Sequence, residues 1–254
     1  MIKISIITVS HNSQATIEDT IKSIISQHYP HIEYIVVDGS STDNSIEIVK
    51  SYGNKIAKVV SEPDLGIYDA MNKGIALATG DVIGFLNSDD FYADNFVIDR
   101  VVEAFSIEGV EASYADLDYV SYQNKHHIVR EWRSGDYNPK KFYFGWMPPH
   151  PTFFALRSVY QKYGGYNLKL NSAADYELML RLCLIHNVKT YYIPNVLVKM
   201  RMGGQSNRSL KNRIKANLQD RKAWSINNLS VPFYALILKP LRKIGQYRFR
   251  LFNF

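Results

Sequence analysis

The stretch Gly80-Asp81-Val82-Ile83-Gly84-Phe85-Leu86-Asn87-Ser88-Asp89-Asp90 decides the fold. Its apolar run, residues 82–86, reads as a short interior strand. That strand delivers two adjacent carboxylates, Asp89 and Asp90, into a loop. Like charges this close raise each other's proton affinity, so the pair calls for a positive partner. Mg²⁺ or Mn²⁺ answers that need, because such ions take one or two carboxylate oxygens and complete their shell with substrate phosphates. The end of a central strand is also where open α/β sheets receive ligands. The competing use of either aspartate is as the N-cap of the next helix.

Upstream, residues 2–9 form a first strand, broken by Ser10-His11-Asn12-Ser13. Residues 16–28 place Ile17, Ile21, Ile24 and Ile25 on one helical face. Strands follow at 33–37 and 56–61, with a helix around Ile46 and Val49 between them and another at 67–78. The order β-α-β-α-β-α-β at this spacing predicts a parallel, doubly wound sheet. Its strand ends are polar: Thr8 and Asn12, Asp38 and Asp43, residues 62–64, and Asn87 with Ser88, Asp89 and Asp90. Carboxyl ends of parallel strands share an edge, so these groups should converge on one crevice. Neither GxGxxG after the first strand nor GxxxxGK[ST] anywhere occurs, which removes the usual dinucleotide and P-loop signatures. Asp38 is suited to accept a base imino N–H or a ribose hydroxyl. The segment 39–42 reads more simply as a turn leading to a helix cap.

The 254 residues, 46% hydrophobic, suffice for one large domain or two small ones. The single cysteine, Cys183, excludes an internal disulfide framework and a cysteine zinc site. The opening apolar run is too short for a signal peptide and no apolar run reaches a membrane-spanning length, so a cytoplasmic location is expected. The net charge of +6 is uneven: from Arg201 onward there are 12 Lys/Arg against one acid, whereas the first 200 residues carry 18 bases and 23 acids. A dedicated basic surface is therefore expected at the C-terminal end.

The segments SIITVSHN, IVVDGSSTDNS, SEPDLGIYDAMNKGIALATGDVIGFLNSDD, MPPHPTFF and SAADYELMLRL, in this order, resemble family 2 inverting glycosyltransferases of the GT-A fold. The block from Ser61 to Asp90 is the specific one, and it is most similar to the bacterial branch that builds surface polysaccharides. The resemblance implies a mixed, Rossmann-like sheet flanked by helices. It also implies a nucleotide-sugar donor (UDP, GDP or dTDP linked), a divalent cation, a glycan or lipid-linked acceptor, and one displacement that inverts the anomeric centre. By position, Asp38 resembles the base-reading aspartate. Asp89 closes the DxD-like element, with Asp90 beside it as a second metal ligand. Two departures stand out: Asn87 replaces the first acid of that element, and Met71 stands where many relatives have an arginine. Asp175 matches the general base of an "ED"-like pair opening a helix, although Ala174 replaces the preceding Glu.

Other candidates complete the set. Thr8, Asn12, Asn87 and Ser88 line the donor side. Asp69 and Asn72 share one face of their helix and either touch the donor or brace neighbouring loops. Arg201 and Ser206 flank a Gly-Gly loop that in relatives closes over the diphosphate. Trp146 and His150 are acceptor-side candidates, against the ordinary expectation that a single aromatic is core. Residues 112–118 and 126–132 read as two antiparallel strands. Residues 1–206 form the expected catalytic domain, with 1–90 its nucleotide half and 91–206 its acceptor half. Residues 207–254 form a helical, basic extension whose apolar bulk suits an anionic membrane surface, and so a peripheral location on the inner face of the cytoplasmic membrane. No nucleic-acid recognition module accompanies this charge. The rival functions are a non-catalytic nucleotide-sugar binder or scaffold, favoured by Asn87 and Ala174, and a nucleotidyltransferase.

Overall fold

A computed structural model describes residues 1–203, 210–242 and 244–247. The first half alternates strand and helix: β1 (Ile4–Ser10), α1 (Ile17–Ile25), β2 (Ile32–Asp38), α2 (Ser45–Ser51), β3 (Lys58–Ser61), α3 (Ile67–Leu77) and β4 (Val82–Phe85). Then come β5 (Phe91–Tyr92), α4 (Val97–Phe105), β6 (Ala112–Val120), β7 (Ile128–Trp132), β8 (Phe154–Leu156), α5 (Arg157–Tyr163), α6 (Ala174–Met179), β9 (Thr190–Arg201), α7 (Leu210–Ile226) and α8 (Phe233–Leu241). The sheet runs β3-β2-β1-β4-β8-β6-β9-β5, with β7 paired to the outer end of β6. The first four strands are mutually parallel; β8 enters antiparallel to both β4 and β6.

Period-2 alternation builds two cores, one on each face of the sheet. Ile7, Val9, Ile35, Val37, Ile83 and Phe85 pack under α3 and α6. Ile4, Ile6, Tyr34, Val36 and Val82 pack with α1 and α4 on the other face. Gly84 is required where β4 meets β8, because a Cβ there would lie 2.2 Å from the Phe154 ring. β9 runs unbroken through Pro194 and Asn195. Its pairing with β6 shifts between Ala115 and Asp116, passing over Pro194, which cannot donate a ladder bond. The helix opened by α6 continues as a π-helix over Leu180–Ile185, a widening that sequence periodicity does not reveal. The short β5, which pairs with β9, was also not legible as a strand.

The C-terminal helices are docked rather than appended. Trp224 of α7 is fully buried in the core cluster and donates its indole N–H to the Tyr176 hydroxyl at 2.9 Å. Lys239 of α8 bonds Asp220 at 2.8 Å and sits 3.5 Å from the Tyr176 ring centroid.

At the amino edge, the buried Glu33 carboxylate of β2 ties β1, the residue before it and the loop that precedes β4. It accepts from Ser5 Oγ at 2.6 Å, Thr79 N at 2.8 Å, Thr79 Oγ1 at 2.7 Å and Lys3 Nζ at 3.2 Å. Burial alone would raise its pKa; the bonds from Ser5, Thr79 and Lys3 outweigh burial and hold it down to about 2. A depressed carboxylate contributes stability that is full above its unfolded value near 4.5 and is lost as pH falls toward 2. The difference corresponds to about 3 kcal/mol at neutral pH. Glu33→Gln should therefore lower the melting temperature at pH 7 and flatten its decline between about pH 5 and pH 3, read by thermal denaturation across that range.

Candidate active site

Because β1, β2, β3 and β4 are parallel, their carboxyl ends form one edge, and the loops beyond them are hydrogen-bonded together. Ser13 Oγ meets Ser88 Oγ at 2.7 Å, Asn12 Oδ1 accepts from Thr42 N at 2.8 Å, and His11 Nδ1 lies 2.9 Å from Gly39 O. Asn12 holds this loop with a positive φ of 50°, a conformation Asn tolerates. Gly39 lets the chains approach: a Cβ there would lie 2.4 Å from Asp64 Oδ2.

Asp89 and Asp90 follow β4 through a turn in which Asp90 N donates to Asn87 O at 3.0 Å. Asp89 is partly exposed, while Asp90 is fully buried. Burial raises both pKa values; its own backbone N–H and Arg201 oppose the rise at Asp89, and the neighbouring Asp89 charge pushes Asp90 further up. Asp90 Oδ1 accepts from Arg201 N at 3.3 Å, and Asp90 Oδ2 lies 3.4 Å from Asn87 Nδ2. Arg201, at the end of β9, donates to Asp89 O at 2.7 Å and pairs with Asp19 of α1. Beside the aspartates, two polar atoms at this edge are buried without a hydrogen-bond partner: Asn87 Oδ1 and Ser10 Oγ. An orphaned amide oxygen next to a partly open carboxylate is a hard-oxygen donor set that fits Mg²⁺ or Mn²⁺ completed by phosphates. Among the described residues no cluster of three or more His, Cys, Asp or Glu side chains forms a protein-only cage.

Several expected donor contacts take another form. Asp90 points inward and braces β9, which leaves Asp89 as the accessible carboxylate of the pair. Thr8 is fully buried, its hydroxyl bonded by Tyr34 at 3.2 Å, so its side chain faces core rather than crevice. Asp38 is closed to solvent, its oxygens taken by Ser41 N at 2.9 Å, Ser41 Oγ and Ser61 Oγ at 2.8 Å. That is turn-holding chemistry, and a base imino group would have to displace it. Asp69 caps Leu65 N at 3.0 Å, and Asn72 bonds both backbone groups of Tyr166, at 2.8 and 2.9 Å; both brace loops. Arg201 is buried against Asp19 and Asp89 rather than open to a diphosphate. Ser206 lies outside the described residues.

On the acceptor side, Trp146 is buried against Tyr114 and Phe142 and donates to Ser134 O at 2.9 Å, so it is core and not a sugar platform. His150 follows Pro149 and brings Nδ1 within 3.2 Å of Asp175 Oδ2. Asp175, in the first turn of α6, accepts at Oδ1 from the Tyr68 hydroxyl at 3.1 Å. Tyr68 belongs to α3, which starts just beyond the carboxyl end of β3. This contact therefore brings Asp175 to the same edge as Asp89. Glu177, the other acid of α6, is buried and paired with Arg181 at 2.8 Å, so neither is free for chemistry. Tyr68 is the contact that sequence reasoning missed; its signal was its place in the GIYDAMN block, one residue from Asp69.

Residues 5–164 match the family described as Glycosyl transferase family 2. The chain belongs to that family. It is 36% identical over 184 residues to an uncharacterized glycosyltransferase of Mycobacterium tuberculosis, covering 72% of this chain and 69% of that protein. It is 28% identical over 207 residues to a PGL/p-HBAD biosynthesis glycosyltransferase of Mycobacterium bovis, covering 80% and 78% respectively. The fold matches the GT-A enzyme S. aureus TarS (residues 1–349, with UDP-GlcNAc) at TM-score 0.65 and 17% identity, over 85% of this chain and 66% of that one. It also matches the Pyrobaculum calidifontis mannosyltransferase PcManGT, solved with GDP-Man and Mn²⁺, at TM-score 0.67 and 17% identity, over 94% and 69%. The chain is thus a glycosyltransferase with a GT-A sheet.

Arg201→Gln removes the cation that joins α1, β9 and the Asp89 turn. It should cost about 1–3 kcal/mol of stability, read by denaturant unfolding, whereas Arg201→Lys should cost less.

Proposed function

We propose that this glycosyltransferase moves a sugar from a nucleotide-sugar donor to an acceptor hydroxyl in one inverting displacement, within bacterial glycan biosynthesis. The observation that carries this reading is the placement of Asp175, through Tyr68, at the strand edge that also presents Asp89 and Asn87. The donor side then supplies oxygen ligands and the acceptor side a carboxylate. TarS with UDP-GlcNAc and PcManGT with GDP-Man support a nucleotide-sugar donor for the shared fold. Asp89 and Asn87 Oδ1 would hold Mg²⁺ or Mn²⁺, which when bound supplies positive charge beside the departing diphosphate. Asp175 accepts the proton of the attacking hydroxyl as its oxygen bonds the anomeric carbon and the bond to the donor phosphate breaks. The acceptor is a glycan or a lipid-linked sugar.

An exposed apolar patch supports a membrane-proximal acceptor. Phe233 is 80% exposed, and Phe144 and Tyr234 are exposed beside it. Phe144 and Phe233 both contact the Tyr234 ring, at 5.9 and 5.5 Å, and the exposed Leu241 and Arg242 close the opposite end of α8. A helix with exposed aromatics at one end and a cation at the other suits the interface of an anionic leaflet. No described helix is long and apolar enough to cross a membrane.

Asp175→Asn should keep nucleotide-sugar binding, measured calorimetrically, while nucleoside diphosphate release in the presence of acceptor falls by about 10² or more. Undiminished release would contradict the assignment. The protein should sediment with phosphatidylglycerol vesicles and not with phosphatidylcholine ones, and Phe233→Ser with Tyr234→Ser should weaken that binding several-fold. Equal sedimentation of the variant would remove the patch from the account.

A further inference from the structure

Asp175 is approached from two separate elements. Its Oδ1 accepts from Tyr68 of α3 at 3.1 Å, and its Oδ2 lies at ion-pair distance, 3.2 Å, from His150 Nδ1. The Tyr68 ring is stacked on Tyr166 at 5.5 Å and 21°. Tyr166 is itself fixed by Asn72, four residues along α3 from Tyr68. Burial, followed by the Asp175 carboxylate, pushes the Tyr68 hydroxyl well above its ordinary range, so it stays protonated and serves as a donor. A hydrogen bond from His150 to Asp175 would require a proton on Nδ1. The same N-terminal part of α3 is anchored to the loop that follows β3: Asp69 caps Leu65 N, while Lys73 bonds Pro63 O at 2.8 Å and Glu62 at 2.9 Å.

We propose that Tyr68 and His150 are positioning residues that clamp the two oxygens of Asp175. The clamp turns the remaining lone pairs toward the acceptor hydroxyl and ties the base to the helix carrying the donor-side loop. The proposal rests on the reading of Asp175 as general base. A carboxylate has about four lone-pair sites, so two donors fix its rotation without filling it. The titratable groups set against Asp175 are Tyr68, His150 and Tyr166, and burial holds both tyrosines neutral.

Two readouts test the clamp. The first needs no substrate: in ¹⁵N-histidine-labelled protein, with the signal assigned by its loss in His150→Asn, neutral His150 should carry its proton on Nδ1. In Asp175→Ala that Nδ1–H signature should vanish. An Nε2–H imidazole in the wild type would overturn the His150 arm. The second is nucleoside diphosphate release from UDP-GlcNAc and GDP-mannose. Tyr68→Phe should lower kcat about tenfold and leave the donor KM unchanged. His150→Leu should do the same, and His150→Asn, whose amide can replace Nδ1–H, should recover most of the rate. Wild-type kcat in Tyr68→Phe, with Asp175→Asn inactive, would overturn the clamp while leaving the base in place. An active Asp175→Asn would instead overturn the base, and the clamp with it. Matching melting temperatures separate either result from misfolding.

Discussion

Two adjacent carboxylates at the end of a wholly buried strand set the terms for the rest of this molecule. Residues of β4 are interior on both faces, so Asp89 and Asp90 emerge into a turn with little water. Burial raises both pKa values, and each charge makes the other harder to keep. The chain resolves half of the conflict internally. Asp90 turns inward to the backbone of β9, and Arg201 on that strand holds the Asp89 carbonyl. Asp89 remains the carboxylate with access to solvent, beside an amide oxygen that has no partner. The sheet order follows the same logic, since β9 and β5 close the far side of the turn that β4 begins.

The opposite wall depends on α3. This helix packs on the parallel half of the sheet, and Gly74 admits Ile7 so closely that a Cβ would lie 2.4 Å from its side chain. Held there, α3 presents Tyr68 to Asp175, Asn72 to the backbone of Tyr166, and Asp69 with Lys73 to the loop after β3. One rigid element thereby connects the parallel half of the sheet to the carboxylate of α6. Asp69 and Asn72, which the sequence left open between donor contact and loop brace, are fittings of that connection.

Strand order, the shared carboxyl edge and the family were legible in the sequence because they follow from period-2 apolar runs and from a long specific block, residues 61–90. Asp175 and His150 were legible as individual residues, but not as partners 3.2 Å apart, because 25 positions and a change of element separate them. The inward turns of Asp38, Asp90 and Thr8 were not legible, since an Asp at a strand end looks the same whether its oxygens face a ligand or Ser41 and Ser61. Trp146 illustrates the same limit: its aromatic neighbours Tyr114 and Phe142 make it core. The docking of Trp224 beneath α6 places part of a segment read from charge as an extension in the core that lies against the sheet.

The most direct measurement of the central claim is thermal denaturation with a panel of UDP-, GDP- and dTDP-sugars, each with Mn²⁺, with Mg²⁺ and with EDTA. A ligand that binds only the native state raises apparent stability by mass action, about 2.7 kcal/mol at a hundredfold excess over Kd. The account predicts that at least one nucleotide sugar raises the melting temperature with metal, and that EDTA or Asp89→Ala abolishes the shift. A shift of the same size in EDTA, or one retained by Asp89→Ala, would contradict a metal-assisted donor site built on this strand end.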